Sequence, residues 1–394
     1  MRPKRPRAAV AVTLACAAAG PLLPTRAAAV TIAQHPLPAS ASAVSAIVAV
    51  AGGLAVTRSV QSSTVLERIT TSPFAAGPLQ PLGAIALGSG PDGQLWLLTT
   101  TSNAGAVELE RDPAGGGLEP RFAFPAVLGS GFWPEQFTSA PDGSLWIANM
   151  TAGTIERLSP QGVLASYPLP RGGAPSSVAV APDGSVWSTQ PVTGTIGEVG
   201  AGGEVSEHAL AGTAPGAFGD AEPSSIVLGP DGALWFTEQT LGRIGRIATN
   251  GDLQEYAIPN TSGVAQGEYG SPAPRYITAG PDGALWFTDG GDDSIGRITT
   301  GGQVSEYPIG TTKPASPQGI VSSAGELWFA EAGLDALGSV DPNGRPAPPP
   351  AAAAGRPHLA ARTRCAAHRR SAPHKHARAA SPRSRGCTAR RRRA

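Results

Sequence analysis

The chain has 394 residues, among them 51 Gly and 39 Pro, and only 15% of it is charged. That mixture is too apolar for a disordered protein and too rich in turn formers for a helical one, so an all-β architecture is expected. The net charge of +1 hides an asymmetry: residues 30–343 carry 11 Lys and Arg against 29 acids, a net of −18, while residues 344–394 carry 14 Lys and Arg and no acid. An acidic body of this kind repels nucleic acid.

Residues 1–29 begin MRPKRPR, run through AAVAVTLACAAAGPLL and end at Ala27-Ala28-Ala29. A basic start, a short apolar run and a small-residue cleavage site predict a secretory signal peptide. The apolar run is too short to cross a bilayer, and no later segment reaches the ~18 apolar residues of a membrane helix. Cys16 raises a lipoprotein alternative, but Thr13 stands where that motif expects a large aliphatic residue. The expected protein is therefore secreted, without a membrane span, and monomeric.

The body is built on a repeat. GPDGQLWLLT, APDGSLWIAN, APDGSVWSTQ, GPDGALWFTE, GPDGALWFTD and SSAGELWFAE centre on Trp96, Trp146, Trp187, Trp235, Trp286 and Trp328. A degraded copy, AVAGGLAVTR, puts Ala55 at the tryptophan position. The steps between these seven positions are 41, 50, 41, 48, 51 and 42 residues. That period belongs to four-stranded propeller blades, so the fold expected over 30–343 is an all-β, seven-bladed β-propeller of four-stranded antiparallel blades.

In the unit 223–258, residues 225–228 form an inner strand, Pro230-Asp231-Gly232 a tight turn, and 233–237 a return strand. Residues 243–247 and 254–259 make the third and fourth. Leu234, Trp235 and Phe236 are apolar on both faces, as a sheet packed between two neighbours requires. The last unit, 317–343, has only three strands, and TIAQHPLP at 31–38 matches the outer-strand pattern of LASYPLP and VSEYPIG. The N-terminal segment is therefore expected to complete the last blade and to remove its open edge. His35 then stands on an outer strand, as does His208 in SEHAL. Insertions at 112–136, 209–222 and 260–273 are expected on one face of the ring, with Trp133 and Tyr269 available to stack a ligand or anchor a loop. The 344–394 segment reads as a disordered basic tail, able to bind an anionic cell-wall polymer, in which Cys365 and Cys387 could pair after export.

Candidate chemistry lies at the open ends of the inner hairpins. Ser224 and Glu238 lie seven residues either side of Asp231, so they are expected side by side. Arg275 with Asp289, and Gln318 with Glu331, repeat this in the next two units. Glu238, Asp289 and Glu331 would converge at the channel mouth, where a divalent cation would relieve their repulsion, with Asp292 and Asp293 as further acceptors. The alternative is that these acids only solvate the rim. The turn aspartates, Arg246, Arg297, Tyr256 and Tyr307 recur with the repeat and are expected to be structural. No phosphate-binding loop and no Ser-His-Asp set is present in the body.

The unit P-x-x-I-x-x-GPDGALWFTE…IGRI…EY-x-I-P, read from Pro223 to Pro259 and again from Pro274 to Ile309, resembles the repeat of the virginiamycin B (streptogramin B) lyases. The resemblance implies a seven-bladed propeller that opens a cyclic depsipeptide ester by elimination. It also implies a histidine as general base, with Mg²⁺ held by carboxylate. The glutamate position is filled by Glu238, Asp289 and Glu331, but the histidine position holds Ser224, Arg275 or Gln318, none of which is a base at neutral pH. Three functions are therefore open. One is a Mg²⁺-assisted C–O lyase, and the second a non-catalytic extracellular propeller binding a small molecule, peptide or envelope component at the channel mouth. The third is a gluconolactonase-like metal-dependent hydrolase.

Overall fold

The structure, a computed structural model, describes residues 30–38, 42–60, 63–72, 74–82, 84–100, 107–112, 119–124, 136–210, 221–259 and 272–343. The signal-like segment 1–29, the basic tail 344–394 with Cys365 and Cys387, and both Trp133 and Tyr269 lie outside the described residues.

Seven antiparallel sheets follow one another along the chain. Their inner hairpins start at Ser42, Ala84, Phe137, Ser177, Pro223, Pro274 and Pro317, and these starts number blades 1 to 7. The sequence dictates each hairpin locally. In blade 5, Gly232 takes φ 78°, which a residue with a Cβ rarely adopts, and the turn closes with Gly229 N–H on Ala233 O at 2.8 Å. Asp231 then accepts the Trp235 indole N–H at 2.9 Å and the Arg246 guanidinium at 2.7 Å. Arg246 lies 5.9 Å above the Trp235 ring, and Tyr256 of the outer strand stacks on that ring at 5.7 Å. Blade 6 repeats the arrangement with Asp282, Trp286, Arg297 and Tyr307. The repeat residues are structural in the way the sequence predicts.

The core is distributed as seven apolar clusters, one at each junction between neighbouring blades. Strand alternation produces this. In Leu234–Glu238, Leu234 and Phe236 pack against blade 4, while Trp235 packs against blade 6. Gly245 is needed opposite Phe236, because a Cβ there would lie 2.0 Å from the ring. The cluster joining Trp328 and Leu337 of blade 7 to Val44 and Ile47 of blade 1 closes the ring. Closure by the N-terminal strand is as the sequence predicts. Thr31–Pro36 runs antiparallel to Ala336–Asp341, from Thr31 opposite Asp341 to Pro36 opposite Ala336.

Three expectations need correction. Blade 1 has five strands: Ser63–Thr71 pairs with Phe74–Ala76 at one end and Gln80–Leu82 at the other. Gly77 and Pro78 interrupt its outer edge, and proline has no N–H to extend a ladder. The expected insertion at 112–136 contains the outer strand of blade 2, Glu119–Ala123, which leaves 124–136 as the connection to blade 3. Finally, the inner strands of blades 5, 6 and 7 each hold one extra residue as a bulge, between Pro223 and Ile226, Pro274 and Ile277, and Pro317 and Ile320. Counting outward from the turn therefore misplaces the register by one at the open end.

Candidate functional site

In blades 5, 6 and 7 the described residues next to the connection between an outer strand and the following inner strand touch a loop joining second to third strands. Ile258 N–H bonds Gly242 O at 3.0 Å, Ile309 N–H bonds Asp293 O at 3.2 Å, and Gly333 N–H bonds Ala315 O at 2.9 Å. Both kinds of loop thus share one face of the ring, opposite the PDG turns. The connections at 209–222 and 260–273 emerge on this face, though 211–220 and 260–271 lie outside the described residues.

The bulges decide what meets at the hairpin ends. Pro223 stands opposite Glu238, Pro274 opposite Asp289, and Pro317 opposite Glu331. Ser224, Arg275 and Gln318 are not the cross-strand partners of these acids. Instead, backbone groups at the bulge tie blades together: Thr189 Oγ1 donates to Ser224 O at 2.9 Å, and Thr237 Oγ1 donates to Arg275 O at 3.0 Å.

Each acid belongs to a different local arrangement. Glu238 is fully buried and accepts from Arg243 Nη2 at 2.6 Å and Nε at 3.0 Å, while Arg243 Nη1 reaches Glu255 on the outer strand at 3.0 Å. Burial pushes its carboxyl up to about 7, with Arg243 pulling the other way. Asp289 is also fully buried, and its Oδ1 accepts from the backbone N–H groups of Ala273, Gly291 and Asp292 at 2.9, 2.9 and 3.1 Å. Burial raises its pKa against the pull of those N–H groups, and the Asp292 charge adds to the rise. Glu306, on the outer strand of the same blade, is pushed up to about 8 by burial and then by the charges of Asp289 and Asp292. Glu331 is fully buried and pushed up to about 7 by burial and by the nearby Asp293.

The structure therefore brings Asp289 together with Asp292 and Glu306, one oxygen from each within 4.8 Å of the others. No such group among the described residues contains Glu238 or Glu331. A Mg²⁺ shared by Glu238, Asp289 and Glu331 does not fit this arrangement, because Glu238 is engaged by Arg243 and Asp289 lies close to Asp292 and Glu306 instead. Asp293 is not a spare acceptor either: its carboxylate takes the N–H groups of Ala315 and Ser316 at 2.9 Å. Sequence reasoning missed the outer-strand Glu306, and it missed Arg58, which occupies the Glu238 position in blade 1 and pairs with Glu67 at 2.9 Å. The offset from the tryptophan position would have found Arg58, three residues after Ala55 as Glu238 is after Trp235. The body's two histidines serve as tyrosine substitutes. His208 stacks on Trp187 at 5.0 Å and His35 lies 4.8 Å from Trp328.

Fold and site together define a seven-bladed propeller with polar strand ends gathered on one face. The virginiamycin B lyase family model matches residues 30–265 and 217–364. The chain belongs to the virginiamycin B lyase family. Among solved structures, virginiamycin B lyase from Staphylococcus aureus is similar at 26% identity, with a TM-score of 0.64, over 79% of this chain and 99% of that one. A catalytically inactive variant of that enzyme with quinupristin gives the same identity, TM-score and coverage. YCF48 bound to D1 peptide shares the fold at 13% identity, with a TM-score of 0.53, over 79% of this chain and 94% of that one. No curated protein matches.

Proposed function

We propose that this chain is a secreted, non-catalytic member of its family that binds a peptide or small molecule at the face where the blade connections emerge. One observation carries the reading. The inner-strand positions where the resemblance puts the family's histidine hold Ser224, Arg275 and Gln318, and the body's two histidines lie on outer strands, His208 stacked on Trp187 and His35 packed against Trp328 and Phe74. None of the three inner residues removes a proton at neutral pH. The similarity to a propeller solved with a peptide supports a ligand of that class. The basic start of 1–29 supports export, and the 14 Lys and Arg of 344–394 support an anionic envelope polymer as the partner of the tail.

A second reading rests on Glu331. It is fully buried at the end of WFAE with its carboxyl pushed up to about 7, a value suited to a general base. In that reading the chain is a C–O lyase with Glu331 in place of the histidine. Incubation of the purified protein with quinupristin and Mg²⁺, followed by mass spectrometry, separates the two. The binding reading expects intact depsipeptide. A linear product that disappears in Glu331→Gln overturns it in favour of the lyase.

A further inference from the structure

Blade 6 holds two carboxylates with no counter-charge between them, whereas the acids of its neighbour blade 5 share an arginine. At the matching positions blade 5 has Glu238, Arg243 and Glu255, joined by ion pairs of 2.6 and 3.0 Å. Blade 4 has Gln190, Thr195 and Glu207, and the Gln190 amide nitrogen, turned toward Glu207, lies 3.2 Å from it. Blade 7 has Glu331, Ala336 and Gln34. Blade 6 has acids at both ends, as blade 5 does, but Asp289 and Glu306 have Ser294 in place of the arginine that joins the blade 5 pair. It then adds a third acid, Asp292, where blade 5 has Leu241.

We propose that Asp289, Asp292 and Glu306 bind a hard divalent cation, of the calcium or magnesium type, within blade 6. One oxygen from each lies within 4.8 Å of the others. Asp289 is fully buried and aimed by its three backbone N–H bonds on Oδ1, which leave Oδ2 buried with no hydrogen-bond partner. Glu306 Oε2 is likewise buried without a donor, while its Oε1 accepts from Ser294 Oγ at 3.2 Å. Buried carboxylate oxygens with no donor are costly to ionise, and a cation would supply the charge that Arg243 supplies next door. All three ligands are carboxylates and none is sulfur or imidazole, which selects a hard ion over zinc or copper. Asp292 and Glu306 are only half-buried, so water can complete the coordination. The cation would fix the connection at Ala273 and the 290–293 loop, both on the proposed ligand-binding face. The site goes beyond the proposed function, since it needs neither catalysis nor a bound peptide.

The test is calorimetric titration of the chelator-treated full chain with calcium chloride and, separately, magnesium chloride at pH 8. One equivalent of one metal is expected to bind and to raise the melting temperature, and the tighter metal names the ion. Asp292→Asn is expected to weaken binding by about tenfold or more. Ser294→Arg, which installs the blade 5 ion pair, is expected to abolish binding while preserving the β-sheet circular dichroism. Absence of heat and of thermal shift with both metals at millimolar concentration overturns the proposal and leaves a proton shared by Asp289 and Glu306. Undiminished binding in Asp292→Asn overturns it as well, and this variant decides the matter if Ser294→Arg does not fold.

Discussion

Blades 5 and 6 carry the same turn, the same tryptophan and phenylalanine, the same arginine over the indole and the same stacked tyrosine. They part at the strand ends on the connection face, where Glu238, Arg243 and Glu255 answer to Asp289, Ser294 and Glu306. The two blades keep identical packing because their apolar clusters lie between the sheets and not at these ends. The repeat thus separates two tasks. Its middle fixes the ring, and its ends are free to change charge. A serine for Arg243 and an aspartate for Leu241 turn a neutralised ion triad into an acidic cluster.

The comparison can be broken from the blade 5 side. Arg243→Ala leaves Glu238 and Glu255 buried or half-buried without their counter-charge, and should cost about 3 kcal/mol in urea unfolding at pH 8. The cost should shrink at pH 5, where Glu238 takes up a proton. A loss below about 0.5 kcal/mol at both pH values would mean that the triad is only decorative.

A smaller effect sharpens the electrostatics. The folded pKa of Glu238 is raised to about 7 from 4.5, so its contribution is fully present below the unfolded value and is lost as pH rises through about 7. In chelator, the melting temperature of the parent should therefore fall between about pH 5 and pH 8 by a few degrees more than that of Glu238→Gln. Parallel curves for the two proteins would remove Glu238 from the cause.

The smallest effect tests what the blades share. His208→Tyr gives blade 4 the ring that blades 5 and 6 stack on their tryptophans, and removes a 2.8 Å contact with Glu198. Stability should change by no more than about 0.5 kcal/mol. A collapse of the fold would assign His208 a task beyond covering Trp187.

The sequence alone determined the architecture. The PDG turns, the tryptophan period and the outer-strand likeness of 31–38 are local signals, and local hydrogen bonding and alternation are enough to translate them into blades and a closed ring. The family was also readable from the repeat, as was the absence of histidine at 224, 275 and 318. The strand ends were not. A single bulged residue shifts Ser224 away from Glu238, and no spacing rule announces a bulge. Glu306 joins Asp289 although 17 positions separate them, because the third strand lies between their strands and both side chains point to the same face of blade 6. Whether an acid is neutralised, capped by backbone N–H groups or left beside another acid depends on which strands the sheet sets side by side, and only the tertiary structure decides that.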